Sequence, residues 1–133
     1  MTDIGRSASI RLAKVRQSGT APELLVRKAL CDLGYSYRCN VRSLPGTPDI
    51  ANKSKKFAVL VHGCFWHRHA GCRRATMPKS NAPMWRRTFL NSIRRDERDL
   101  EALRRLGFRV ITLWECEVVN LERTKDYIRF FLP

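Results

Sequence analysis

The run Phe57-Ala-Val-Leu-Val61 offers no polar residue to a solvent face. An apolar strand of this kind is covered on both sides and lies in the interior of a sheet. Its flanks supply the covering layers. Ahead of it, Ile50-Ala51 and a polar Asn52–Lys56 turn complete a hairpin. Further upstream, Tyr35, Tyr37, Cys39 and Val41 alternate with Ser36, Arg38 and Asn40, the pattern of a half-buried strand.

Helices are marked at both ends. Thr20-Ala-Pro-Glu23 carries a cap, a first-turn proline and a capping-box glutamate. Val26, Ala29, Leu30 and Leu33 follow at helical spacing, up to Gly34. A longer helix runs from about Met84 to Leu106, with Trp85, Phe89, Ile93, Leu100 and Leu103 inward and Gly107 as its stop. Phe108–Leu113 is a further strand. Asn120 caps a last helix that turns Leu121, Thr124, Ile128 and Phe131 inward. The predicted order α-β-β-β-α-β-α fits 133 residues with one core and one mixed sheet flanked by helices. Residues 1–19, with four basic residues and one acid, read as a basic N-terminal arm ahead of a single domain over 20–133.

The net charge of +14 points to a polyanion, and its placement says more. From Ile50 to Arg95 there are eleven Lys and Arg and no acid. Most of the basic residues are Arg, whose planar fork suits phosphate, so nucleic acid is the expected partner. No apolar run is long enough to span a membrane, and Met1–Lys14 holds no apolar signal-like stretch. A cytoplasmic protein with reduced thiols is expected.

All three histidines, His62, His67 and His69, fall within eight residues, together with Cys64 and Cys72. Cys64, His69 and Cys72 have the spacing of three zinc ligands, and Cys116, just past a strand end, can be the fourth. Solvated histidines and unrelated thiols are the alternative; density and spacing favour zinc. Cys31 and Cys39 read as small buried hydrophobes. Two histidines are left for other work. Asp49, the only acid between Asp32 and Asp96, is open to three readings: salt-bridge partner, turn former after Pro48, or ligand for a hard cation. The hairpin that begins at Asp49 ends at His62, so both fall at one edge of the sheet.

Pro48-Asp49 followed by His62-Gly-Cys-Phe-Trp-His-Arg-His69 resembles the very short patch repair (Vsr) DNA mismatch endonucleases, as do Leu106–Val110 with Trp114-Glu-Cys116. Arg6-Ser7 and Thr20–Glu23 match the family's start, so the resemblance covers about residues 6 to 117. It implies a restriction-endonuclease-like fold in which Mg²⁺, in one or two ions, is held by Asp49 and the Val61 carbonyl and activates water for attack on phosphate. His67 is then the implied general base, with His62 opposite, and Glu23 supports the metal site unless it only caps its helix. The resemblance makes Phe65, Trp66 and Trp85 a wedge inserted between base pairs at a T·G mismatch, although helical spacing also suits Trp85 to the core. Arg68, Arg73, Arg74, Lys79, Arg86 and Arg87 would hold phosphates. The implied activity nicks one strand of double-stranded DNA 5′ of the mismatched thymine. A bacterial, nucleoid-associated monomer with mismatch-repair partners of the MutL/MutS type goes with it. The alternatives are a nuclease of the same fold with another DNA substrate, or a non-catalytic zinc-stapled DNA-binding module.

Overall fold

A computed structural model describes residues 20–132; the basic arm read over residues 1–19 lies outside them. The order is α1 (Ala21–Asp32), β1 (Arg38–Cys39), β2 (Ile50–Asn52), β3 (Phe57–His62), α2 (Ala82–Arg105), β4 (Arg109–Trp114) and α3 (Leu121–Phe131). The predicted succession of elements is reproduced. The strands form one mixed sheet in the order β1-β2-β3-β4. β2 pairs antiparallel with β1 and β3, whereas β3 and β4 run parallel from Phe57↔Arg109 to His62↔Trp114. Among the described residues no helix is long and apolar enough to cross a membrane.

The apolar run of β3 is interior, as expected. Phe57 and Val59 join a core with Val26, Leu30, Ile111, Leu113 and Ile128, under α1 and α3. Ala58 packs on the other face with Ala51, Val41, Leu44, Leu103 and Phe108, under α2. Alternation along one strand thus feeds two cores. A parallel pair cannot be joined by a tight turn, so the chain crosses over through the Gly63–Asn81 segment and α2.

The helix ends follow from local chemistry. Thr20 Oγ1 accepts the Glu23 N–H at 3.4 Å, and Pro22 sits in the first turn. After α1, the Gly34 N–H donates to the Cys31 carbonyl and that of Tyr35 to Leu30; after α2, Gly107 donates to Arg104 and Phe108 to Leu103. Both are Schellman ends, and each needs positive φ at its glycine, observed at 85° and 88°.

Three expectations are corrected. The strand read over residues 35–41 shrinks to Arg38–Cys39, because Asn40 takes φ 49° and breaks the extended chain, although Tyr35 and Tyr37 still pack on the core. Cys31 and Cys39 are exposed rather than buried: Cys31 lies about a hundred degrees around α1 from Leu30, and Cys39 lies on the edge strand. Phe131 is 44% exposed. The inward position passes to Leu132, where α3 has ended in extended backbone.

The assignment of α3's inner face is measurable. Ile128→Ala should cost roughly 2–5 kcal/mol in urea unfolding, whereas Phe130→Ala, at a position 82% exposed, should stay within about 0.5 kcal/mol of the parent.

Candidate active site and metal centre

Beyond the C-terminal ends of β3 and β4, the chain opens into a cleft of about 550 Å³, whose walls include Glu23, Asp49, His62, Trp66, His67 and Asp96. Such crevices at the carboxyl ends of parallel strands are where open α/β sheets bind ligands. β3 delivers the site by emerging from the core: Phe57–Leu60 are buried, and Val61 and His62 are partly exposed.

Asp49 stands one residue before β2, and its Oδ2 accepts the Val61 N–H at 2.8 Å across the hairpin. The juxtaposition expected from the hairpin is present. Burial pushes the Asp49 carboxyl up to about 6, against the Val61 hydrogen bond and with help from the nearby charge of Glu23. Glu23 is itself buried and lies 3.6 Å from Arg27. A half-buried carboxylate with a second one near it is a setting that a cation would relieve.

The two histidines not assigned to the cluster lie face to face. The His62 and His67 rings stack at 3.8 Å with 5° between their planes. His67 Nδ1 is 2.7 Å from Asp96 Oδ2. Burial and the neighbouring His67 hold His62 down to about 4, so His62 is neutral near pH 7. Asp96 was not among the expected site residues; in the sequence it is the first acid after the acid-free Ile50–Arg95 stretch. The signal was its phase: Trp85, Phe89, Ser92, Asp96 and Leu103 share the inward face of α2. Along that face three consecutive loop residues find partners. The Phe65 ring lies 5.3 Å from Phe89, the Trp66 carbonyl accepts from Ser92 Oγ at 3.1 Å, and His67 reaches Asp96.

The second centre lies alongside. One potential ligand atom from each of Cys64, His69, Cys72 and Cys116 falls within 4.8 Å of the others, and this set could hold a metal ion. Cys116 Sγ is 3.4 Å from His69 Nδ1. Successive turns shape the loop, with His67 N–H bonded to Gly63 O, His69 to Cys64, and Cys72 to His69. Burial drives the Cys64 thiol up to about 12, whereas a hydrogen bond from the Arg74 backbone lowers that of Cys72. Glu115, also missed in the sequence, ties the two centres together: its N–H donates to the His62 carbonyl at 2.9 Å, and its Oε1 accepts the Cys64 N–H at 3.0 Å.

The aromatic residues form one group. Phe65 meets Trp66, Trp85 and Phe89 edge-on, and Trp66 lies 6.2 Å from Trp85. Trp85 is 9% exposed, as its helical spacing predicted, while Phe65 and Trp66 are only partly covered. Among the six basic residues singled out, Arg68 stands apart. It takes φ 55°, donates to the Phe65, Ala75 and Thr76 carbonyls, and lies 3.8 Å over the Phe89 ring. Its guanidinium holds the loop. Arg73, Arg74, Lys79, Arg86 and Arg87 are exposed, and Arg74 lies 3.8 Å from Glu115.

The cleft thus gathers a histidine–carboxylate pair, a second histidine and the neighbouring Asp49 and Glu23 carboxylates beside a Cys/His cluster, and the relatives of this chain are DNA endonucleases and nicking enzymes. Residues 2–74 match the family model described as DNA mismatch endonuclease Vsr. A protein of Xanthomonas oryzae pv. oryzae described as Type II nicking enzyme V.XorIIP is 40% identical over 91% of this chain and 88% of its own. The DNA mismatch endonuclease Vsr of Escherichia coli is 33% identical over 91% of this chain and 76% of its own. A Type II nicking enzyme of Neisseria meningitidis, V.NmeAIP, is 39% identical over 90% of this chain and 86% of its own. The chain belongs to the family of Vsr DNA mismatch endonucleases and related nicking enzymes.

The raised Asp49 carboxyl has a measurable consequence for stability. Its folded pKa of about 6 exceeds the unfolded value of 3.8, so folding favours the protonated form. That contribution is complete below about pH 4 and is lost as pH rises through about 6. In chelator at about pH 8, Asp49→Asn should therefore be more stable than the parent, by at most about 3 kcal/mol. The two proteins should converge below about pH 4 in parallel urea titrations.

Proposed function

We propose that this protein is a Mg²⁺-dependent endonuclease of restriction-endonuclease-like fold that nicks one DNA strand 5′ of the thymine of a T·G mismatch. The observation that carries the reading is the His67–Asp96 pair at 2.7 Å, stacked on His62 and facing Asp49 across one cleft. A histidine oriented by a carboxylate is the arrangement of a general base. His67 takes the proton of the attacking water at its other ring nitrogen, Asp96 stabilises the imidazolium that forms, and neutral His62 donates or accepts a hydrogen bond opposite. Mg²⁺ held by Asp49 and the Val61 carbonyl, with Glu23 in support, would neutralise charge on the scissile phosphate and the departing oxygen. Lys and Arg on the Ile50–Arg95 segment, including Arg73, Arg74, Lys79, Arg86 and Arg87, hold the phosphates and fix register.

The aromatic group borders the same cleft, and Phe65 and Trp66 are the parts of it left partly open. In this reading they wedge into the duplex with Trp85 as backing, and a mismatched step resists unstacking less than a paired one. The Cys/His cluster takes Zn²⁺, because three thiolates and an imidazole make a soft, closed donor set suited to tetrahedral coordination. A second reading, nicking of duplexes other than T·G mismatches, is favoured by the description of several relatives as Type II nicking enzymes.

Nicking of T·G and matched duplexes with Mg²⁺, then with EDTA, is the deciding experiment. Selective cleavage of the mismatch is expected; equal cleavage of matched DNA would support the second reading, and no cleavage under any metal would leave a DNA-binding module. Asp49→Ala should abolish nicking while the duplex still binds. Asp96→Asn should slow single-turnover nicking by about 10²–10⁴-fold, with DNA affinity nearly unchanged.

The zinc assignment is checked separately. Purified protein should carry one Zn²⁺, and Cys64→Ser or Cys116→Ser should lose both the ion and cooperative thermal unfolding. A stable, zinc-free variant would rule out a structural ion.

A further inference from the structure

Trp114 is the last residue of β4 and pairs in register with His62, so on parallel strands the two side chains leave the sheet on one face. Its indole lies flat on His69, 4.2 Å between centroids at 7°, and presents itself to His62 at 5.2 Å and 75°. His62 in turn stacks on His67, which is bonded to Asp96. Five side chains thus form one contact series, His69–Trp114–His62–His67–Asp96, from the Cys/His cluster to the carboxylate. Trp114 is not part of the cleft wall.

We propose that Trp114 is a positioning residue for the strand-cleavage reaction, fixing the plane of His62 and, through the ring stack, that of His67. The proposal rests on the nuclease reading given above. A flat stack keeps the two imidazole planes parallel but does not fix the pair, which can still turn about χ2, and His62 is only partly buried at a strand end. The indole, set nearly at right angles to His62, restrains one ring of that pair, and Asp96 restrains the other. The indole is itself restrained by His69, whose ring is held beside Cys116. The Trp114 backbone does not depend on its ring. Its N–H donates to Glu117 Oε1 at 3.0 Å, and its carbonyl accepts from the Glu117 and Val118 N–H groups. Changing the ring therefore tests orientation with the strand end kept.

The test compares Trp114→Leu, which removes both ring contacts, with Trp114→Phe, which keeps an aromatic face against His69. With Trp114→Leu, single-turnover nicking should fall by about tenfold to a hundredfold, with duplex Kd within about twofold and the metal-to-protein ratio unchanged. Trp114→Phe should recover most of the rate. An unchanged rate for Trp114→Leu would overturn the proposal. So would a rate loss that appears only with loss of the ion or of duplex affinity, because Trp114 would then belong to the cluster or to the DNA surface. The His62 ring C–H resonances, read by NMR, give an arm independent of activity. They should move in Trp114→Leu and lie nearer the parent in Trp114→Phe, and coincidence of all three sets would sink the idea. A parent protein that nicks no duplex would defeat the nuclease reading and leave this arm to decide the placement of His62.

Discussion

The parallel pairing of β3 with β4 is the constraint on which the rest depends. It is the one strand pair in the sheet that a turn cannot close, so the chain must leave β3, cross a face of the sheet and return. That excursion is the Gly63–Asn81 segment and α2, and with the strand ends it connects it supplies both centres except for Asp49 and Glu23. A long segment without regular structure is entropically expensive to fix. Here the expense is offset by Arg68 on three carbonyls within the loop and by the aromatic group against α2, and an ion held by the Cys/His cluster would add to both. On the proposed zinc assignment the cluster would help to fix the shape of the cleft as well as lie beside it.

Much of this was legible in the sequence because it is written in local signals. Thr20, Gly34 and Gly107 punctuate helices by backbone chemistry, and Phe57–Val61 declares burial on both sides. The four cluster residues and the Asp49–His62 approach followed from spacing and from hairpin topology. What was not legible depends on partners far away in the chain. Asp96 is one of several acids in the helix read from about Met84 to Leu106, and nothing within a few residues reveals a histidine twenty-nine positions earlier. Glu115 was hidden for the same reason, between two residues with stronger claims. Cys31, Cys39 and Phe131 went wrong at edges and ends, where the periodic rule gives a face but the element supplies no cover.

The electrostatics have a consistent logic. The basic segment suits a polyanion, and on the proposed mechanism the Asp49 and Asp96 carboxylates have to act beside it without being cancelled. Asp96 and Asp49 are partly buried in the cleft, one engaged by His67 and the other by a backbone N–H, while most of the basic residues nearby are exposed. Burial that raises the Asp49 carboxyl also marks it as the place where a bound cation does most.

The matching of Phe65, Trp66 and His67 to positions 89, 92 and 96 makes α2 a template with a phase as well as a length. One added residue between Phe89 and Asp96 would lengthen the helix by only about 1.5 Å, but it would turn everything beyond it by about a hundred degrees. The carboxylate would then face away from His67 while the aromatic end stayed where it was. Over that stretch the helix can change its outward residues freely and its count not at all, so length variation in such a fold is confined to segments outside it.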